Sequence, residues 1–271
     1  SALRDAVREK SFSVVYQPMF TVDTIQVACC EALSRWYHPD FGAVSPAQYI
    51  PLAEEMGIVG DLTRFMLEVA CRDCATWPNG AAVSVNLSAN DLRNKGIIAM
   101  VSEALDASGL QVEVTESAFV QDMGKAKAIL DELRSKGVTV AIDDFGTGYS
   151  SLSYLNLLPL NKVKIDRSFV SNITEDQRTF KLLKGVVHLS RELGLEIVVE
   201  GVETEDHEQQ ARDTKTGSGL KTTGLQRSVE RHLCPLTRQG PTFVFSACPR
   251  DGRLGLEAPD VSRQAHIVIH I

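Results

Sequence analysis

The sequence predicts an α/β protein built on a TIM-type (β/α)8 barrel, and three observations carry that expectation. Between residues 80 and 211, short β-branched runs alternate with longer segments of helical period, the signature of repeated βα units. The runs lack the strict polar alternation of a sheet with one wet face, so they read as strands covered on both sides. A polar residue recurs once per unit: the steps from Asn86 to Glu113, Asp143, Lys164 and Glu200 are 27, 30, 21 and 36 residues. Each step spans one strand plus one helix, and in a closed parallel barrel the carboxyl ends of successive strands meet on one face.

In chain order, Phe12 to Gln17 and Thr24 to Ala28 read as the first strands, with Glu31 following the second and a helix over 47–56 after it. A helical pattern over 62–77 contains Cys71 and Cys74. With no second cysteine pair at zinc-site spacing, these read as ordinary buried thiols. Strands follow at 82–87, 111–115, 138–143, 162–166 and 196–200. Between them, helices over 97–108 and 123–136 stop at Gly109 and Gly137, since a glycine just past the last helical residue is the expected terminator.

The 271 residues, 44% of them hydrophobic, can bury the core of one such domain. A formal charge of −7 argues against a protein that coats a nucleic-acid polymer. No run approaches a membrane span, and the first ten residues lack a signal-peptide core, so the expected location is the cytoplasm. Six cysteines, two of them the neighbours Cys29 and Cys30, are too few for a disulfide scaffold of this size.

The recurrent polar residues define a chemistry. Five carboxylates (Glu31, Glu113, Asp143, Asp144, Glu200) and the amide oxygen of Asn86 cannot share a partly buried pocket unless cations neutralise them. All are hard oxygen ligands, which suits Mg2+ or Mn2+ and disfavours zinc or copper. Of two adjacent aspartates, one can bridge two ions while the other binds one, an arrangement suited to in-line attack of a bridging water on phosphorus. Lys164 could orient that water, and Arg35 offers a fork for a phosphate oxygen. Each residue alone has a plainer reading, as an N-cap, a turn starter or a solvated pair. Independent caps, however, have no reason to be acidic at so many successive strand ends.

The motifs that carry these residues resemble the EAL domain, the bacterial module that opens cyclic di-GMP to linear pGpG. Tyr16-Gln-Pro18, Glu31-Ala-Leu-Ser-Arg-Trp36, Val85-Asn-Leu-Ser88, Glu113-Val-Thr-Glu116, Asp143-Asp-Phe-Gly-Thr-Gly148, Lys164-Ile-Asp166 and Glu200-Gly-Val-Glu203 occur in the family's order, from about Leu3 to about Gln210. The resemblance implies a modified TIM-type barrel. It also implies one metal on Glu31, Asn86, Glu113 and Asp143 and a second on Asp143, Asp144 and Glu200. Glu31, Asp144, Lys164 and Glu200 become the catalytic set, with Lys164 holding or helping to activate the attacking water. Gln17, Leu33, Arg35 and Asp166 fall near the nucleotide and its phosphates, and Glu116 and Thr147 position the loop after Asp144. The implied cofactors are Mg2+ or Mn2+. The implied partners are cyclic di-GMP, a second copy in a homodimer, and a sensor or GGDEF domain outside this chain.

Two places depart from the family pattern. The loop between Gly109 and the strand carrying Glu113 is short, and after Gln210 the text changes character. Residues 212–271 hold nine Lys+Arg against five Asp+Glu, a charge of +4, which leaves −11 on residues 1–211. The chain accordingly reads as a barrel over 1–211 and a divergent tail over 212–271. Two origins stay open, a change of reading frame near residue 211 or an insertion before a displaced last strand around 238–249. With the last strand and helix altered, the barrel is expected to lack or improvise its eighth strand. The alternative function is a receptor that binds cyclic di-GMP without cleaving it, and a third outcome is a damaged product that does neither.

Overall fold

The computed structural model describes residues 2–21, 27–77, 80–104, 109–120, 122–147, 152–169, 177–201 and 268–270. A first helix, α1 (Ala2–Arg8), precedes two long strands, β1 (Phe12–Thr21) and β2 (Val27–His38), and a short third, β3 (Gly42–Val44). Helices α2 (Pro46–Glu55) and α3 (Val59–Cys74) follow. The βα repeat then runs β4 (Ala82–Leu87), α4 (Gly96–Ala104), β5 (Leu110–Thr115), α5 (Met123–Ser135), β6 (Thr139–Phe145), α6 (Leu152–Leu157), β7 (Lys162–Ile165), α7 (Gln177–Glu192) and β8 (Glu196–Val199). A last strand, β9 (Val268–His270), comes from the far end of the chain.

The strands form one sheet in the order β1-β9-β8-β7-β6-β5-β4-β2-β3, and β1 also pairs with β2, so eight strands make a ring with β3 outside it. The α/β barrel expected from the spacing is present, and its modification is one of direction. β2 and β4 to β8 run parallel, whereas β1 is antiparallel to β2. Only residues 22–26 join those two strands, and a parallel crossover needs a dozen or more.

One expectation is corrected. The second strand covers Val27–His38 rather than ending at Ala28, so Glu31 lies inside it. Pairing with β1 from Phe12↔Trp36 to Phe20↔Val27 extends the strand across the motif that contains Glu31. The place between β8 and β1 is filled by β9, which is parallel to β1 (Met19↔Val268) and antiparallel to β8 (Val199↔Ile269). The 238–249 stretch, Gly148 and Glu203 lie outside the described residues.

The outward strand faces supply the core against the helices. Val112, Val114, Val140 and Ile142 are fully buried. α5 turns Ala126, Ile129, Leu130 and Leu133 inward at helical spacing, each large side chain contributing about 1.5–3 kcal/mol by leaving water. Its start is fixed by Asp122, whose carboxylate accepts the Lys125 N–H at 3.0 Å, and it stops at Gly137, at φ 90°. Cys71 and Cys74 are buried free thiols on α3, as expected; burial pushes Cys71 up to about 11. Among the described residues, no helix is long and apolar enough to cross a membrane.

Candidate metal and active site

With their outer faces spent on the core, the strands can place polar groups only inside the ring. There Glu31 (β2), Glu113 (β5), Asp143 (β6) and Glu200, just past β8, converge on Lys164 of β7, with Asn86 (β4) beside Glu31. The Lys164 ammonium, 1% exposed, lies 2.5 Å from Glu113 Oε2, 2.9 Å from Asp143 Oδ1, 2.9 Å from Glu200 Oε1 and 3.4 Å from Glu31 Oε2. Asn86 Nδ2 donates to Glu31 Oε1 at 2.7 Å. Carboxylate oxygens of Glu31, Glu113 and Asp143 lie within 4.8 Å of one another, as do those of Asp143, Asp144 and Glu200. Asp143 belongs to both groups, and its buried Oδ1 faces the Lys164 ammonium at 2.9 Å.

Adjacent residues of a regular strand face opposite ways, yet Asp143 and Asp144 serve one cluster. The backbone explains it. Along β6 and β7 the pairing steps from Ile142↔Val163 to Phe145↔Ile165, three residues against two, which is a β-bulge at the aspartate pair. Asp144 sits at φ 51°, one of two non-glycine residues in the left-handed region among those described. Gly146 follows at φ 103°, donating its N–H to Glu116 Oε1 at 3.1 Å, while Thr147 Oγ1 donates to the Asp144 carbonyl at 3.0 Å. Glu116 and Thr147 therefore both hold the turn after Asp144.

The electrostatics follow from five anions around one cation. Burial pushes Glu113 up to about 8, and only the Lys164 charge opposes it. Burial likewise raises Glu200 to about 7, and lost hydration with the charges of Asp143 and Asp166 lifts Asp144 to about 6. Burial alone would lower Lys164, but Glu113, Glu31, Asp143 and Glu200 hold it well above the usual lysine value. One ammonium cannot neutralise so many acids, and the surplus negative charge marks a site whose donors could hold divalent cations.

The residues expected at the nucleotide lie on β1 and β2 and, for Asp166, just past β7. Gln17 is the Cα partner of Glu31 across β1 and β2. Leu33 and Arg35 stand two and four residues past Glu31 on the same face of β2, outside the acid cluster, and Arg35 donates to the Ser34 carbonyl at 2.9 Å. Asp166 accepts the Ser168 N–H at 2.9 Å. Inspection of motifs missed Gln111, which is 1% exposed and donates from Nε2 to Glu113 Oε1 at 2.9 Å. Its place two residues before Glu113 on a strand was the available signal.

The EAL domain family model matches residues 1–216. The chain is similar to the uncharacterized protein y4lL of Sinorhizobium fredii, 42% identical over 210 residues that cover 76% of this chain and 25% of that protein. It is also similar to the bifunctional diguanylate cyclase/cyclic di-GMP phosphodiesterase MucR of Pseudomonas aeruginosa, 38% identical over 216 residues, 76% of this chain and 32% of the other. The chain thus spans 25% to 32% of the length of these curated relatives. Among solved structures, the PaMucR phosphodiesterase in complex with c-di-GMP superposes with a TM-score of 0.71 at 37% identity, covering 78% of this chain and 90% of that one.

Proposed function

The chain belongs to the EAL domain family, and on that premise we propose that it hydrolyses cyclic di-GMP to linear pGpG with two divalent cations, Mg2+ or Mn2+, in bacterial second-messenger signalling. One observation carries the reading. In the deprotonated form that cations require, five carboxylates and one ammonium sum to −4, which two divalent cations balance, and the acids fall into two groups sharing Asp143. Glu31, Asn86, Glu113 and Asp143 would hold one ion, and Asp143, Asp144 and Glu200 the other. The ions, when bound, supply Lewis-acid polarisation of the phosphodiester and an acidified water.

The chain's own groups do the rest. Lys164 stays protonated, so Nζ is a hydrogen-bond donor that orients the attacking water and offsets charge gathering on phosphorus. Arg35 presents a guanidinium to a phosphate oxygen, and Gln17, Leu33 and Asp166 border the nucleotide. Glu116 holds Gly146, and through it the turn that aims Asp144. A second copy of the chain and a sensor or GGDEF domain belong to the same proposal.

The test is incubation of purified chain with cyclic di-GMP and Mg2+ or Mn2+. Accumulation of pGpG, lost in Glu31→Ala, is expected. A Glu31→Ala variant at full rate overturns the ligand assignment, and metal-independent binding without turnover by the parent supports a receptor instead.

A further inference from the structure

We propose that Gln111 is a positioning residue for the cation site, its amide fixing the Glu113 carboxylate so that one oxygen is occupied and the other is presented to the centre. This rests on the reading above that the acid cluster holds divalent cations.

Gln111 and Glu113 lie two residues apart on β5 and so share its inner face, and both are buried, at 1% and 0% exposure. Gln111 Nε2 donates to Glu113 Oε1 at 2.9 Å, while Glu113 Oε2 faces Lys164 Nζ at 2.5 Å. The two partners pull on different oxygens, which removes the rotation that a glutamate tip otherwise retains. Its Cα partner on β4 is the fully buried Ser84, so the pair lies in the dry interior.

The residue type suits the task. A leucine would pack here without burying an amide, and an unpaired buried amide is costly, so a glutamine at this place serves its hydrogen bond. A lysine or arginine would also donate, but would add positive charge beside the place a metal must take. A glutamate would add a sixth anion with no donor. A neutral donor satisfies one oxygen and leaves the charge of Glu113 available. Outer partners that orient metal-holding side chains typically change affinity 10–100-fold when removed.

The experiment titrates MnCl2 alone, without nucleotide, into the purified parent chain and into Gln111→Leu and Gln111→Met, followed by calorimetry. The methionine, unbranched and close to glutamine in length, stands in if the leucine variant fails to fold. The expected result is that one of two Mn2+ binding steps weakens about tenfold or more while the other is unchanged. The Mn2+ concentration for half-maximal turnover should rise, with KM for cyclic di-GMP unchanged at saturating Mn2+. Variants that bind Mn2+ at both steps like the parent overturn the role of Gln111 and leave the site assignment standing. A parent chain that binds no Mn2+ overturns both.

Discussion

Lys164 concentrates the physics of this protein in one side chain. A buried ammonium is costly unless its partners are close, and here four carboxylates lie within 3.4 Å. Lys164→Met is expected to abolish turnover and to destabilise the metal-free chain by about 3–5 kcal/mol, the range for stranding buried partners. Urea denaturation with and without Mn2+ checks this, because bound ions should return part of the loss. A metal-free variant as stable as the parent would show that the pairs contribute nothing. At this scale the sequence was informative: Glu31, Asn86, Glu113, Asp143, Asp144, Lys164 and Glu200 are all recoverable from spacing and residue type. What spacing could not convey is that Lys164 reaches four acids at once, or that Gln111 supports Glu113, since both depend on side-chain reach across the ring.

Among the elements, β6 and its exit turn decide whether two neighbouring aspartates act together. The bulge and the left-handed Asp144 swing both carboxylates to one site, and such backbone costs about 1–3 kcal/mol where it departs from common conformations. Gly146 cannot be replaced cheaply. Its φ of 103° disfavours any side chain, and a Cβ there would run into the ring of Phe169, on the short turn after β7. Gly146→Ala should lower stability by about 1–3 kcal/mol in urea denaturation and reduce turnover with it. A change within about 0.5 kcal/mol would sink the account. The strand itself was legible from its buried β-branched run, but the bulge was not, because only the register against β7 reveals the extra residue. β2 was misread for a related reason, since its length is set by β1 and not by its own composition.

For the molecule as a whole, the acid surplus links charge to stability. Folding raises Glu113 and Glu200 from 4.5 to about 8 and 7, and Asp144 from 3.8 to about 6. The folded chain therefore binds more protons than the unfolded one across that window. The stability from these groups is present in acid and lost as pH rises through the folded values, while Lys164, raised well above its usual value, stays charged throughout. Divalent cations need the deprotonated acids, and a free ion at about 100 Kd adds about 2.7 kcal/mol. The gap in Tm between Mn2+-loaded and metal-free chain should accordingly widen from about pH 5 to pH 8, read by thermal denaturation. A gap that stays constant or narrows would remove the acids from the cation site. Fold class, the order of βα units and the acidic inventory were all settled by the sequence alone, because each is written in local periodicity and in the spacing of whole units. Only the folded chain decides the convergence on Lys164, the bulge that pairs Asp143 with Asp144, the support under Glu113 and the seating of Val268–His270 between β8 and β1. Those four depend on register and on contacts between residues far apart in the chain, which periodicity does not encode.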